Sequence, residues 1–197
     1  MSDAYISRLQ RFERARVRVE QLLAVGRISR SDALLFYEGI FLRAVTLFEG
    51  LLEDLFVGVL VGGVDRGRRV VPRVTFKSHS VARDVMLGGR SYVEWLPYHH
   101  TDRRAGAFFR GGFPFSNLSR SEKRELGRII LIRNAVAHQS RAALRQFEVE
   151  VIGAIPLMPA ERTPAGYLRS NFRALPAQTR YENIANTFAT LARKLCS

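Results

Sequence analysis

The stretch Ser119–Arg141 reads Ser-Arg-Ser-Glu-Lys-Arg-Glu-Leu-Gly-Arg-Ile-Ile-Leu-Ile-Arg-Asn-Ala-Val-Ala-His-Gln-Ser-Arg. Ser119 and Glu122 stand at capping-box spacing, and Glu122 and Glu125 place negative charge at the positive end of a helix. Leu126, Ile129, Ile130 and Leu131 supply the apolar stripe of a packed helix. Arg133, Asn134 and His138 ride on that helix. Asn134 and His138 share a face, whereas Arg133 and His138 lie roughly 140° apart on an ideal helix. Such a set lines one cleft only if the helix edge borders it or a second subunit closes it.

Working outward, helical patterns dominate, and the expected class is all-α. Residues 3 to 25 read as a first helix, with Leu9, Phe12, Val19, Leu22 and Leu23 as its apolar stripe and Gly26 as its stop. Arg8, Arg11, Arg14, Arg16 and Arg18 crowd the rest. Two readings stand: a solvated face partly paired with Glu13 and Glu20, or a basic wall for RNA backbone. Ser29 or Ser31 caps a longer helix to about Val61, apolar on more than one face and therefore central. Arg43, Glu49 and Glu53 interrupt it as rim positions or as partnered polar groups. Arg141 to Ile152 reads as a further helix, and Thr179 caps a last one with Tyr181, Ile184, Phe188, Leu191 and Leu195 at helical spacing.

The region between differs. Gly62-Gly63 ends the long helix, and Arg69 to Phe76 reads as a short strand, placed at an edge by Pro72. Ser80 to Leu87 and Arg90 to Pro97 read as short helices. Phe108, Phe109, Phe113 and Phe115 follow, interleaved with arginines and glycines. They either stack bases or plug the loop into a core. His99-His100 has no acidic or histidine partner at helical spacing, so no metal site is expected there, and no cofactor. The chain is expected to be one domain over 1–197, with 64–115 as an insertion.

Composition narrows the function. Hydrophobic residues make up 47%, which a disordered chain does not reach. The formal net charge is +13, and only Lys77, Lys123 and Lys194 among the 31 basic residues are lysines. That surplus favours a polyanion, RNA first, and arginine suits bidentate phosphate contacts. A GC-rich coding sequence would also enrich arginine. Met1 to Gln10 lacks the apolar core of a secretory signal, and Glu38, Arg43, Glu49, Glu53 and Asp54 break the longest apolar stretch. A cytoplasmic protein with no membrane partner is the expectation.

Arg133-Asn-Ala-Val-Ala-His138 resembles the arginine–polar–x(3–5)–histidine signature of the HEPN superfamily. Gly166-Tyr167-Leu168 with Thr179-Arg180-Tyr181-Glu182 resembles the tail of its RiboL-PSP-linked branch. The resemblance covers 31–61 and 119–196, and not 64–115. It implies an antiparallel helical bundle and a metal-independent endoribonuclease of toxin–antitoxin or phage-defence type, with a possible antitoxin or defence-system partner. Arg133, His138 and Asn134 would be catalytic, and a homodimer would complete the site. Arg11, Arg14, Arg18 and Arg141 would contact RNA. Ser140 stands where HEPN toxins regulated by adenylylation carry a tyrosine, so that regulation is not implied. The alternative is a non-catalytic module of the same type that binds RNA or protein.

Overall fold

A computed structural model describes residues 1–62 and 70–197. Gly63, Arg69 and the start of the expected insertion lie outside the described residues. The described chain is mostly helical, with one two-stranded sheet. In order come α1 (Ser2–Ala24), α2 (Arg30–Leu60), α3 (His79–Leu87), α4 (Tyr98–Phe108), α5 (Arg120–His138), α6 (Arg141–Gln146) and α7 (Pro164–Arg169). The hairpin β1 (Asn171–Arg173) and β2 (Gln178–Thr179) then leads into α8 (Arg180–Cys196). No described helix is long and apolar enough to cross a membrane.

Three helices start on the same local chemistry. The Ser119 amide donates to Glu122 at 2.6 Å, and the Glu122 amide returns to the Ser119 hydroxyl at 3.3 Å. Ser29 with Asp32 opens α2 in this way, and Thr179 with Glu182 opens α8. Each pair satisfies amide groups that a helix start leaves without an intrahelical partner.

The chain folds as two compact units. The first comprises Met1–Ser2, Phe48–Gly127 and Leu191–Ser197, and the second Asp3–Leu47 and Arg128–Thr190. In the first unit the α2 residues Leu55 to Leu60 are buried in succession, so this part of the helix is enclosed on every side. Phe56 is its hub, with ring centroids of Trp95, Phe109 and Phe115 at 5.1, 4.6 and 5.1 Å. The aromatic loop therefore plugs the core, since Phe109 and Phe115 are fully buried. In the second unit Phe41, Val45, Ile129, Ile132, Phe147, Leu168 and Phe188 are buried. Arg43 is exposed, a rim position.

The expected helix over Arg90–Pro97 does not form. The segment has no regular secondary structure, and α4 begins after it at Tyr98 with Pro97 as its N-cap. Proline disfavours helical geometry in the residue before it, so the helix starts beyond Pro97 and not before. The expected strand up to Phe76 is reduced to an isolated antiparallel bridge between Pro72 and Phe109. The helix after Arg141 also changes pitch: α6 passes into a π-helical turn over Phe147–Ile152.

Candidate functional site

Arg133, Asn134 and His138 come together within one chain. Arg133 Nη1 donates to Asn134 Oδ1 at 3.2 Å and lies 3.2 Å from His138 Nε2. The angular offset along the helix is overcome by the length of the arginine side chain. Ala135 and Val136, between the site residues, are buried and fix the helix edge, whereas His138 is exposed. His138 is the last residue of α5. Gln139 follows with φ at 47°, a left-handed conformation that ends the helix there. Ser140 then caps α6 by accepting from the Ala143 amide at 3.2 Å.

The chemistry of the contact fixes its direction. A guanidinium only donates, so His138 Nε2 accepts with its lone pair and the ring proton sits on Nδ1. In this arrangement the Nε2 lone pair is covered by the cation. An arriving phosphate offers that cation a stronger, charge-assisted and bidentate partner. Drawing Arg133 onto phosphate would uncover Nε2 beside the reacting group.

Arg11, Arg14 and Arg18 are exposed on α1, within roughly 60° of arc on an ideal helix. None of them makes a hydrogen bond or ion pair with the described residues. The acids expected to neutralise them turn elsewhere: Glu13 binds Arg16, and Glu20 binds Arg169. Arg141 is exposed at the first position of α6.

Arg16 corrects the reading of α1, which placed it among the solvated arginines. It is 9% exposed and sits at the centre of a charged network in the second unit. Its guanidinium meets Glu13 at 2.9 Å, Glu182 at 2.9 Å and the Tyr37 hydroxyl at 3.3 Å. Burial works against its charge, but the hydrogen bonds with Glu13 and Tyr37 outweigh burial and raise its pKa. The Tyr37 hydroxyl donates to Glu20 at 3.0 Å, and Glu20 takes Arg169 Nε and Nη2 at 2.9 Å each. The signal was in the spacing, since position 16 follows Leu9 by seven and Phe12 by four on the apolar stripe.

A cavity of about 370 Å³ opens in the second unit, with Arg16, Glu20, Arg30, Arg169 and Asn171 in its wall. Gly166 lines it as well, where any Cβ would stand 2.0 Å from the Ala160 carbonyl oxygen. Arg133 and His138 do not line this cavity, so its polar wall and the Arg133–His138 pair are separate features. Among the described residues no three of His, Cys, Asp and Glu stand close enough to hold a metal ion. No family model, curated protein or solved structure matches the chain.

Proposed function

We propose that the chain is a HEPN-like endoribonuclease that cleaves single-stranded RNA by attack of its own 2′-hydroxyl. One observation carries this reading: the Arg133 guanidinium stands 3.2 Å from the base nitrogen of His138. Arg133 takes the scissile phosphate and stabilises the charge that develops on the phosphorane. His138 Nε2 accepts the 2′-proton. The 2′-oxygen bonds to phosphorus, the P–O5′ bond breaks, and the products are a 2′,3′-cyclic phosphate and a 5′-hydroxyl. The departing O5′ needs a proton, and one chain brings one such histidine. A second copy would supply it, so we infer a homodimer with two arginine–histidine pairs at one site. Asn134 holds the guanidinium in place. A cytoplasmic toxin or phage-defence effector is the setting that fits.

Arg11, Arg14, Arg18 and Arg141 suit the RNA backbone, because the fold leaves them exposed. A second reading has its own support. The His138 lone pair is occupied and its ring is exposed, which also suits a non-catalytic RNA- or protein-binding module. A fluorescent single-stranded RNA incubated with the protein in EDTA separates the two. The expected result is cleavage with cyclic phosphate ends, read by mass spectrometry. Strict dependence on added Mg²⁺ with 3′-hydroxyl ends would overturn the nuclease mechanism, and intact RNA bound without cleavage would establish the module.

A further inference from the structure

The first unit gathers basic side chains whose charge its described carboxylates balance only in part. On α4, His99, His100, Arg103 and Arg104 follow at spacings of one, three and one, along one side of the helix. The His99 and His100 rings lie 4.1 Å apart. Arg104 reaches back to the Glu94 carbonyl oxygen and lies over the Trp95 ring at 5.7 Å. Arg90 anchors its Nε on the Leu87 carbonyl at 3.3 Å. These groups repel one another: burial first, then the charges of Arg90 and Arg103, hold the Arg104 guanidinium below its ordinary pKa. His100 is lowered too, by burial and then by His99, with Arg104 and Arg103 adding to it.

The carboxylates nearby leave most of this charge uncompensated. Glu94 lies 3.7 Å from His100 Nε2 and is half-exposed. Asp102, on the same helix, is engaged by Lys123 Nζ at 2.7 Å. Between Arg90 and Glu94 in the sequence stands Tyr92, 66% exposed, a large ring presented to solvent. Guanidinium groups at close quarters suit successive phosphates, and an exposed ring suits a base that is free of a duplex.

We propose that this face of the first unit binds single-stranded RNA, with Arg90, Arg103 and Arg104 on backbone phosphates and Tyr92 stacked on a base. It gives the 79–108 segment a role separate from Arg133 and His138. The RNA rests on the nuclease reading above, but binding and cleavage are measured separately.

The probe is a fluorescent dodecamer with 2′-O-methyl groups, which leaves no 2′-hydroxyl to attack, followed by anisotropy from 50 to 300 mM salt. Arg90 and Arg103 are exposed, so the R90Q/R103Q double variant tests the site without touching the Arg104–Trp95 contact. The double variant should bind at least tenfold more weakly at low salt, with a salt slope lower by about 1.4, or ~0.7 for each phosphate no longer neutralised. Tyr92→Ala should weaken binding roughly fivefold or more for the single strand and leave the matching duplex unchanged. Wild-type affinity and slope in R90Q/R103Q, or equal effects of Tyr92→Ala on strand and duplex, would overturn the site. His138→Ala, assayed for cleavage of unmodified RNA, reports on the nuclease alone. Lost cleavage there with intact binding in R90Q/R103Q sinks this site only, and the reverse pattern sinks only the nuclease.

Discussion

Arg16 and Arg133 belong to the same unit and differ in how far the fold satisfies them. Arg16 is buried and meets Glu13, Glu182 and Tyr37, so each of its three guanidinium nitrogens has a partner. Arg133 is half-buried and touches the Asn134 amide and the His138 ring. No carboxylate among the described residues binds it. A desolvated charge without partners is costly, so Arg16 is tied into structure. A charge left without a carboxylate is available to an anion. The same residue type is thus scaffold in one place and, in the proposed mechanism, reagent in the other.

Substitution should separate the two sharply. His138→Ala should slow RNA cleavage by ~10²–10⁴-fold through loss of proton transfer. Arg133→Ala should cost ~10²-fold or more, on the scale of one missing oxyanion donor. Both variants should unfold at the wild-type urea midpoint, because neither removes apolar packing or a buried ion pair. Full cleavage by folded His138→Ala would end the catalytic half of the contrast.

Arg16→Met tests the other half. It removes the cation and leaves Glu13 and Glu182 facing one another around an apolar chain. The expected loss is about 3–5 kcal/mol in urea unfolding, the scale for breaking a buried pair on one side. Cleavage per folded molecule should stay at the wild-type level. A loss under ~1 kcal/mol would show that water replaces the arginine and that the network is not structural.

The same contrast explains what the sequence made legible. The starts of α2, α5 and α8 were readable because Ser29–Asp32, Ser119–Glu122 and Thr179–Glu182 are local, three-residue arrangements. α4 was hidden because His99, His100, Arg103 and Arg104 mask a buried stripe of Tyr98, Thr101 and Ala105, none of them strongly apolar. The site residues were legible as a motif, but their contact was not: helix angles set Arg133 and His138 apart, and the reach of a guanidinium closes the gap. Arg16, though its spacing put it on the apolar stripe, was misread for a different reason. Its charge suggested solvent, and Glu182, one of the acids that makes burial tolerable, comes from the far end of the chain.

The exposed face of α1 sharpens the comparison from the side of binding. Replacing Arg11, Arg14 and Arg18 together with Gln should lower the salt slope of RNA affinity by about 2, or ~0.7 for each phosphate of a single strand left without its arginine. Stability should change by less than about 0.5 kcal/mol, since these side chains are exposed and carry no ion pair among the described residues. An unchanged slope would return this face to a solvated surface and leave Arg141 and the first unit to carry the RNA.

The smallest effect concerns acid. Glu20 accepts two hydrogen bonds from Arg169 and one from the Tyr37 hydroxyl. The Arg169 hydrogen bonds, against the opposing effect of burial, hold the Glu20 pKa below the ordinary value of 4.5. A carboxyl whose folded pKa is lowered stabilises the fold only while ionised. Its contribution is therefore complete above about pH 4.5, the unfolded value, and is lost as pH falls through the folded pKa. Glu20→Gln removes that contribution at every pH. The gap in stability between wild type and variant should be about 1 kcal/mol or less near neutrality, because solvent screens the pair. It should hold steady from pH 8 to pH 6, narrow below about pH 4.5 and close in stronger acid, since both proteins then carry a neutral side chain at position 20. Urea midpoints at matched ionic strength measure it, and the other titrating groups cancel between the two proteins. A gap that stays constant down to pH 3 would mean that Glu20 acts through its shape and not its charge.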